Sequence, residues 1–180
     1  GSQGTKVFSD LIPKILCKLP LDIKNRIEVV HQCRDLDIKK VEKSYVDNLI
    51  SHQTKGFINN MEEVLKESHL VISRAGASSL SEILVANIPS ILIPFRYSKD
   101  NHQLLNANRL VNTGASWMIE EDNYINENLF NLLKKIFSSM NTLSEKSERA
   151  SRVARPYSAE EFVNLLDRYF FNSKPNEISS

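Results

Sequence analysis

Cysteine is scarce in this sequence. Cys17 and Cys33 are the two in 180 residues. They form no CxxC pair and the histidines do not cluster, so neither a disulfide framework nor a structural metal is indicated. An excess of either charge is also missing: Lys+Arg of 23 against Asp+Glu of 22 leaves a formal net charge of +1. That balance gives no overall electrostatic case for nucleic acid as the partner. No apolar run approaches the roughly 18 residues needed to span a bilayer, and no charged-then-apolar signal sequence opens the chain. The chain therefore reads as cytosolic. There is no GKS or GKT phosphate loop, no HExxH and no nucleophile elbow. What is present, 41% hydrophobic and 25% charged residues, suits one globular domain able to bury a core.

Along the chain, helical and extended patterns alternate. Residues 6–19 set Val7, Leu11, Ile15 and Leu19 on one helix face, with Pro13 inside. A β-rich run at 26–30 precedes an amphipathic helix over 36–46, and 49–58 contains the next extended segment. Asn59 and Asn60 suit the cap of a short helix through Lys66. The apolar strand 70–73 stops at Arg74-Ala75-Gly76 and leads into a helix over 78–86. Pro89 introduces a strand over 90–95, a helix over 103–111 ends at Gly114, and 115–120 forms the last strand. Five strands alternating with helices at short spacing are the signature of an α/β fold, a doubly wound parallel sheet covered on both faces.

The segment GSQG at residues 1–4 sits where a loop should leave a strand and enter a helix, so a sixth, central strand is expected before Gly1 in a longer protein. From residue 126 onward the patterns are helical only, at 129–137, 143–153 and 159–171. The domain is expected to run over 1–171, followed by a disordered polar tail at 172–180.

The stretch SRAGASSLSE at 73–82 is the most informative. A strand ends, a glycine permits a tight turn, and small residues open a helix, leaving backbone N–H groups and the positive end of the helix dipole to hold an anion such as a diphosphate. The same stretch also reads as an ordinary capped helix. Glu82 lies about one turn past Ser78 and Ser79, where its carboxylate could take a ribose diol or serve only the helix dipole. GSQG is a second glycine-rich entry to a helix, expected at the same carboxyl edge of the sheet. A third element, Asp100-Asn101-His102-Gln103 with Asn106 one turn on, offers amides that could read sugar hydroxyls, or a helix cap. His102 could act as a general base, but nothing nearby reads as an orienting carboxylate or a nucleophile. His31, His52 and His69 have no motif context.

Taken together, GSQG at 1–4, SRAGASSLSE at 73–82, the strand into Pro94-Phe95 and DNHQLLNA at 100–107 resemble, in order and spacing, the C-terminal domain of the MurG family of glycosyltransferases. The resemblance covers residues 1–120 by motif and the later helices more loosely. It implies the donor-binding half of a two-domain GT-B enzyme that transfers N-acetylglucosamine from UDP-N-acetylglucosamine to lipid I, with inversion, making lipid II for peptidoglycan. It implies no metal and no other cofactor, and a place on the cytoplasmic face of the inner membrane. Lipid I and that membrane surface would be engaged through an N-terminal domain that this chain lacks.

At residue level the resemblance implies that Ser2 approaches the diphosphate and that the backbone at Ile58 reads the uracil edge. Ala77, Ser78 and Ser79 would hold phosphates and sugar, with Leu80 and Ser81 in the same run. Glu82 would take the ribose hydroxyls and Gln103 would contact the N-acetylglucosamine. No catalytic residue is expected in this chain, because the histidine thought to deprotonate the acceptor belongs to the N-terminal half of the family. Two rivals share the phosphate and ribose contacts: a UDP-sugar transferase acting on another glycolipid, and a non-catalytic UDP-sugar-binding subunit that works with a partner chain.

Overall fold

The computed structural model describes residues 2–139 and 141–154. The helix expected over 159–171 and the tail 172–180 lie outside the described residues. The chain forms two compact units, one of residues 1–64 and 121–140 and the other of residues 65–120 and 141–180.

In the first unit, helix α1 (Ser2–Leu16) and the short α2 (Leu21–Lys24) precede strand β1 (Glu28–Gln32), helix α3 (Ile38–Asp47) and strand β2 (Ser51–Lys55). The two strands pair in parallel, Glu28 with Ser51 through Gln32 with Lys55. A parallel pair requires a crossover, and α3 supplies it. Its apolar stripe buries Val41 and Tyr45 completely, and α1, which buries Leu11, Ile15 and Leu16, packs against α3 and α7. Helix α4 (Met61–Glu67) follows β2, its first N–H groups turned toward the Asn60 carbonyl. Asn60 was expected at such a cap, and its amide also donates to Glu63 Oε2 at 2.6 Å.

The second unit carries strands β3 (Val71–Ser73), β4 (Ser90–Leu92) and β5 (Ser116–Met118), parallel in the order β3-β4-β5. Helices α5 (Ala77–Val85) and α6 (His102–Asn112) make the crossovers. The central β4 is buried at every residue, which is why its sequence reads as a continuous apolar run. Leu80, Ile83 and Leu84 of α5 join Leu92, Ala107 and Leu110 in the core; each large side chain there contributes about 1.5 to 3 kcal/mol by burial. Helix α7 (Ile125–Ser138) belongs to the first unit, whereas α8 (Asn141–Ala154) packs on α5 in the second.

All five expected strands are present, but they form two parallel sheets rather than one. The second difference concerns residues 1–4. Residues 2–4 are not a loop: α1 is helical from Ser2. The first turn of a helix leaves its N–H groups unpaired much as a glycine loop does, so residue types alone do not separate the two.

Candidate functional site

The site is built on the carboxyl ends of β3 and β4. After β3 the chain runs through Arg74 and Ala75 to Gly76, the N-cap of α5, in extended conformation with φ −69° and ψ 143°. No side chain caps this helix. The Leu80 N–H donates to the Gly76 carbonyl at 3.0 Å, so the N–H groups of Ala77, Ser78 and Ser79 lie ahead of the first intrahelical bond and point out of the helix start. Three convergent donors at the positive end of the dipole suit an anionic ligand.

Gly76 is not there for its backbone freedom, contrary to the tight turn expected of it, because any residue adopts this conformation. A Cβ at Gly76 would meet nothing nearer than Ser79 Oγ at 4.0 Å. The bare backbone leaves open space in front of the helix start, where a ligand could come close.

The other members of the run divide by geometry. Ser78 is exposed and Ser79 half-buried. Ser81 Oγ donates to the Ala77 carbonyl at 2.9 Å, which occupies its proton within the helix. Leu80 is fully buried in the core and its N–H is occupied by Gly76, leaving it no donor for a ligand. Glu82 is exposed, one turn past Ser78 and Ser79 on the same helix face, and no group among the described residues pairs with it.

The third element enters α6 through two consecutive left-handed residues, Asp100 (φ 50°) and Asn101 (φ 54°). Neither caps the helix by its side chain; Ser98 Oγ instead accepts from the Gln103 N–H at 3.4 Å. Gln103 Oε1 accepts from the Phe95 N–H at 2.9 Å. That bond fixes the amide orientation, since only the oxygen can face an N–H, and it leaves the Gln103 NH2 to donate elsewhere. Asn106, expected to read sugar hydroxyls, is buried and donates to the Ala75 carbonyl at 3.2 Å. It ties α6 to the loop before α5 instead. His102 does have a carboxylate beside it, which the sequence reading missed: Asp100 Oδ2 lies 3.7 Å from Nε2, with both side chains exposed.

A further residue of this region escaped the sequence reading altogether. Arg74 Nη1 donates to the carbonyls of Ile93 and Pro94 at 3.1 and 3.2 Å, and its guanidinium carbon lies 5.3 Å from the centroid of the Phe95 ring. The only signal for it was its place between a strand and a helix start.

Two candidates lie in the first unit. Ser2 begins α1. Ile58 follows β2 after Gly56 and Phe57, and its side chain is buried, so a contact made by this residue falls to its backbone. Among the described residues, no group of three or more His, Cys, Asp or Glu side chains gathers where a metal could sit, and no helix is long and apolar enough to cross a membrane.

Residues 1–166 match the family described as the glycosyltransferase family 28 C-terminal domain. A protein of Wolbachia pipientis subsp. Culex pipiens (strain wPip), named UDP-N-acetylglucosamine--N-acetylmuramyl-(pentapeptide) pyrophosphoryl-undecaprenol N-acetylglucosamine transferase, is 36% identical over 166 residues, 92% of this chain and 49% of that protein. A protein of the same name from Gluconobacter oxydans (strain 621H) is 35% identical over 167 residues, 93% of this chain and 46% of that protein. The chain thus spans about half the length of these relatives. The crystal structure of Acinetobacter baumannii MurG superposes with a TM-score of 0.79 at 26% identity, covering 93% of this chain and 50% of that one. WaaG, a glycosyltransferase involved in lipopolysaccharide biosynthesis, shares the fold at a TM-score of 0.66 and 17% identity, covering 96% of this chain and 46% of that one.

Proposed function

The chain belongs to the glycosyltransferase family 28 C-terminal domain family, and on that footing we propose that it is the donor-binding half of an inverting hexosyltransferase whose donor is UDP-N-acetylglucosamine. In the whole protein the sugar passes to lipid I to form lipid II for peptidoglycan, at the cytoplasmic face of the inner membrane. The acceptor site, the membrane contact and the general base come from the half that the relatives have beyond the matched region.

One observation carries this reading: the uncapped start of α5 presents three N–H groups, with the unpaired carboxylate of Glu82 one turn along the same face. A nucleoside diphosphate needs both, donors for the diphosphate and an acceptor for the ribose hydroxyls. The N–H groups of Ala77, Ser78 and Ser79 hold the phosphates, Glu82 takes the ribose, and the Gln103 NH2 meets an oxygen of the sugar. As UDP departs, charge develops on its phosphate oxygens, and preorganised N–H donors stabilise that charge without a metal.

The test is calorimetric titration of the chain with UDP-N-acetylglucosamine, UDP-glucose and ADP-ribose. Binding of the first, with UDP-glucose weaker and ADP-ribose absent, supports the reading. Equal binding of the two UDP-sugars would move the donor assignment toward another glycolipid transferase, and no binding of either would remove it.

A further inference from the structure

The two binding elements of the second unit sit on separate stretches of chain. The start of α5 follows β3, and Gln103 stands on α6 beyond β4. Their relative position must be held to a few tenths of an ångström if one rigid ligand is to touch both.

The backbone of Arg74 belongs to the loop that ends at the α5 N-cap, while its guanidinium grips the chain on the other side. Nη1 donates to the carbonyls of Ile93 and Pro94, and the cation packs over the ring of Phe95. Phe95 is also the residue whose N–H donates to Gln103 Oε1. A continuous path therefore runs from the α5 start through the Arg74 side chain to Phe95 and on to the Gln103 amide. Asn106 makes a parallel tie from α6 to Ala75. Lysine would reproduce this only in part: an ammonium can bond the two carbonyls that Nη1 holds, but it has no planar guanidinium to lie on the Phe95 ring.

We infer that Arg74 is a positioning residue that sets the register between the diphosphate-holding start of α5 and the sugar-reading amide of Gln103. The inference rests on the donor reading above. It separates two ligands that a general loss of stability would not: UDP engages the α5 start alone, whereas UDP-N-acetylglucosamine engages both elements. Loss of Arg74 therefore weakens the sugar nucleotide more than it weakens UDP, and the loss runs through Gln103.

Calorimetric titration of both ligands against wild type, Arg74→Met, Arg74→Lys, Gln103→Ala and the Arg74→Met/Gln103→Ala double variant tests this. The preference for UDP-N-acetylglucosamine over UDP should fall roughly threefold to tenfold in Arg74→Met, the loss of one neutral hydrogen bond. It should fall by less in Arg74→Lys. It should fall no further when Arg74→Met is added to Gln103→Ala, because coupled residues are not additive. Equal weakening of both ligands, or additive losses in the double variant, would overturn the positioning role and leave the donor reading intact. A wild type that does not prefer UDP-N-acetylglucosamine would overturn the donor reading, and the inference with it. If Arg74→Met does not fold, Arg74→Lys decides: a reduced preference supports the inference and an unchanged one refutes it.

Discussion

His31 Nδ1 lies 2.8 Å from the hydroxyl of Tyr45, joining β1 to α3 through two buried side chains. His31 Nε2 is buried with no partner among the described residues. Burial pushes the imidazole down to about 4 and pushes the Tyr45 phenol above its ordinary value. His31 is therefore neutral in the folded protein across the physiological range, and its protonation is resisted by the fold.

The first prediction follows from that depression. The unfolded imidazole titrates near 6.5, so the unfolded chain takes up a proton between about 6.5 and 4 that the folded chain refuses. Stability is full above about 6.5 and falls as the pH drops toward 4, by up to about 3 kcal/mol from this group. Urea denaturation at pH 7, 5.5 and 4 should show the loss, and His31→Gln should flatten the part of it that lies in this window.

Gly76→Ala separates binding from folding. The conformation at Gly76 suits alanine and the added Cβ meets only Ser79 Oγ at 4.0 Å, while alanine is a poorer N-cap than glycine, so stability should stay within about 1 kcal/mol of wild type. UDP affinity should drop about tenfold or more, because the methyl occupies the space in front of the helix donors. Unchanged affinity would place the ligand elsewhere.

Gly114→Ala should do the reverse. Gly114 closes α6 in the left-handed region at φ +79°, and a Cβ there would lie 2.7 Å from Arg149 Nη1. The carbonyl of Gly114 is held by Lys146 Nζ at 2.9 Å, and the same ammonium lies 4.2 Å from the Trp117 ring centroid. A loss of about 1 to 2 kcal/mol is expected in urea denaturation, with UDP affinity unaltered.

Chelation should not matter. The diphosphate is assigned to backbone donors, and only Glu82 brings a carboxylate to the SRAGASSLSE stretch. Titration of UDP with and without EDTA should give the same affinity; binding lost to EDTA and restored by magnesium would contradict the helix-start account.

The strands and helices were legible because their signals are local. The buried run around β4, the alternation of strand and helix, and Gly114 after α6 each follow from neighbours in sequence. The tie between Arg74 and the carbonyls of Ile93 and Pro94 spans 19 and 20 positions, and no periodicity announces a side chain that bonds backbone across two strand ends. Asn106 misled for a related reason: an amide on a polar stretch looks free for a ligand, and only packing shows that Ala75 has claimed it. Residues 2–4 misled because serine and glycine suit a loop and a helix start alike. Gln103 became a candidate through the resemblance, whereas the direction of its amide required Phe95 in place.

The central claim is that one rigid element, α5, presents both the diphosphate donors and the ribose acceptor of a single nucleotide. Titrating UDP and its 2′,3′-dideoxyribose analogue against wild type and Glu82→Ala tests it most directly. Glu82 is exposed, so the variant should fold. Charged hydrogen bonds contribute roughly 1.5 to 3 kcal/mol, so Glu82→Ala should weaken UDP by about tenfold to a hundredfold. The analogue should bind wild type about as weakly as UDP binds the variant, with no further loss on Glu82→Ala. If wild type binds both ligands equally well and Glu82→Ala changes neither affinity, the carboxylate serves only the helix dipole and the claim fails.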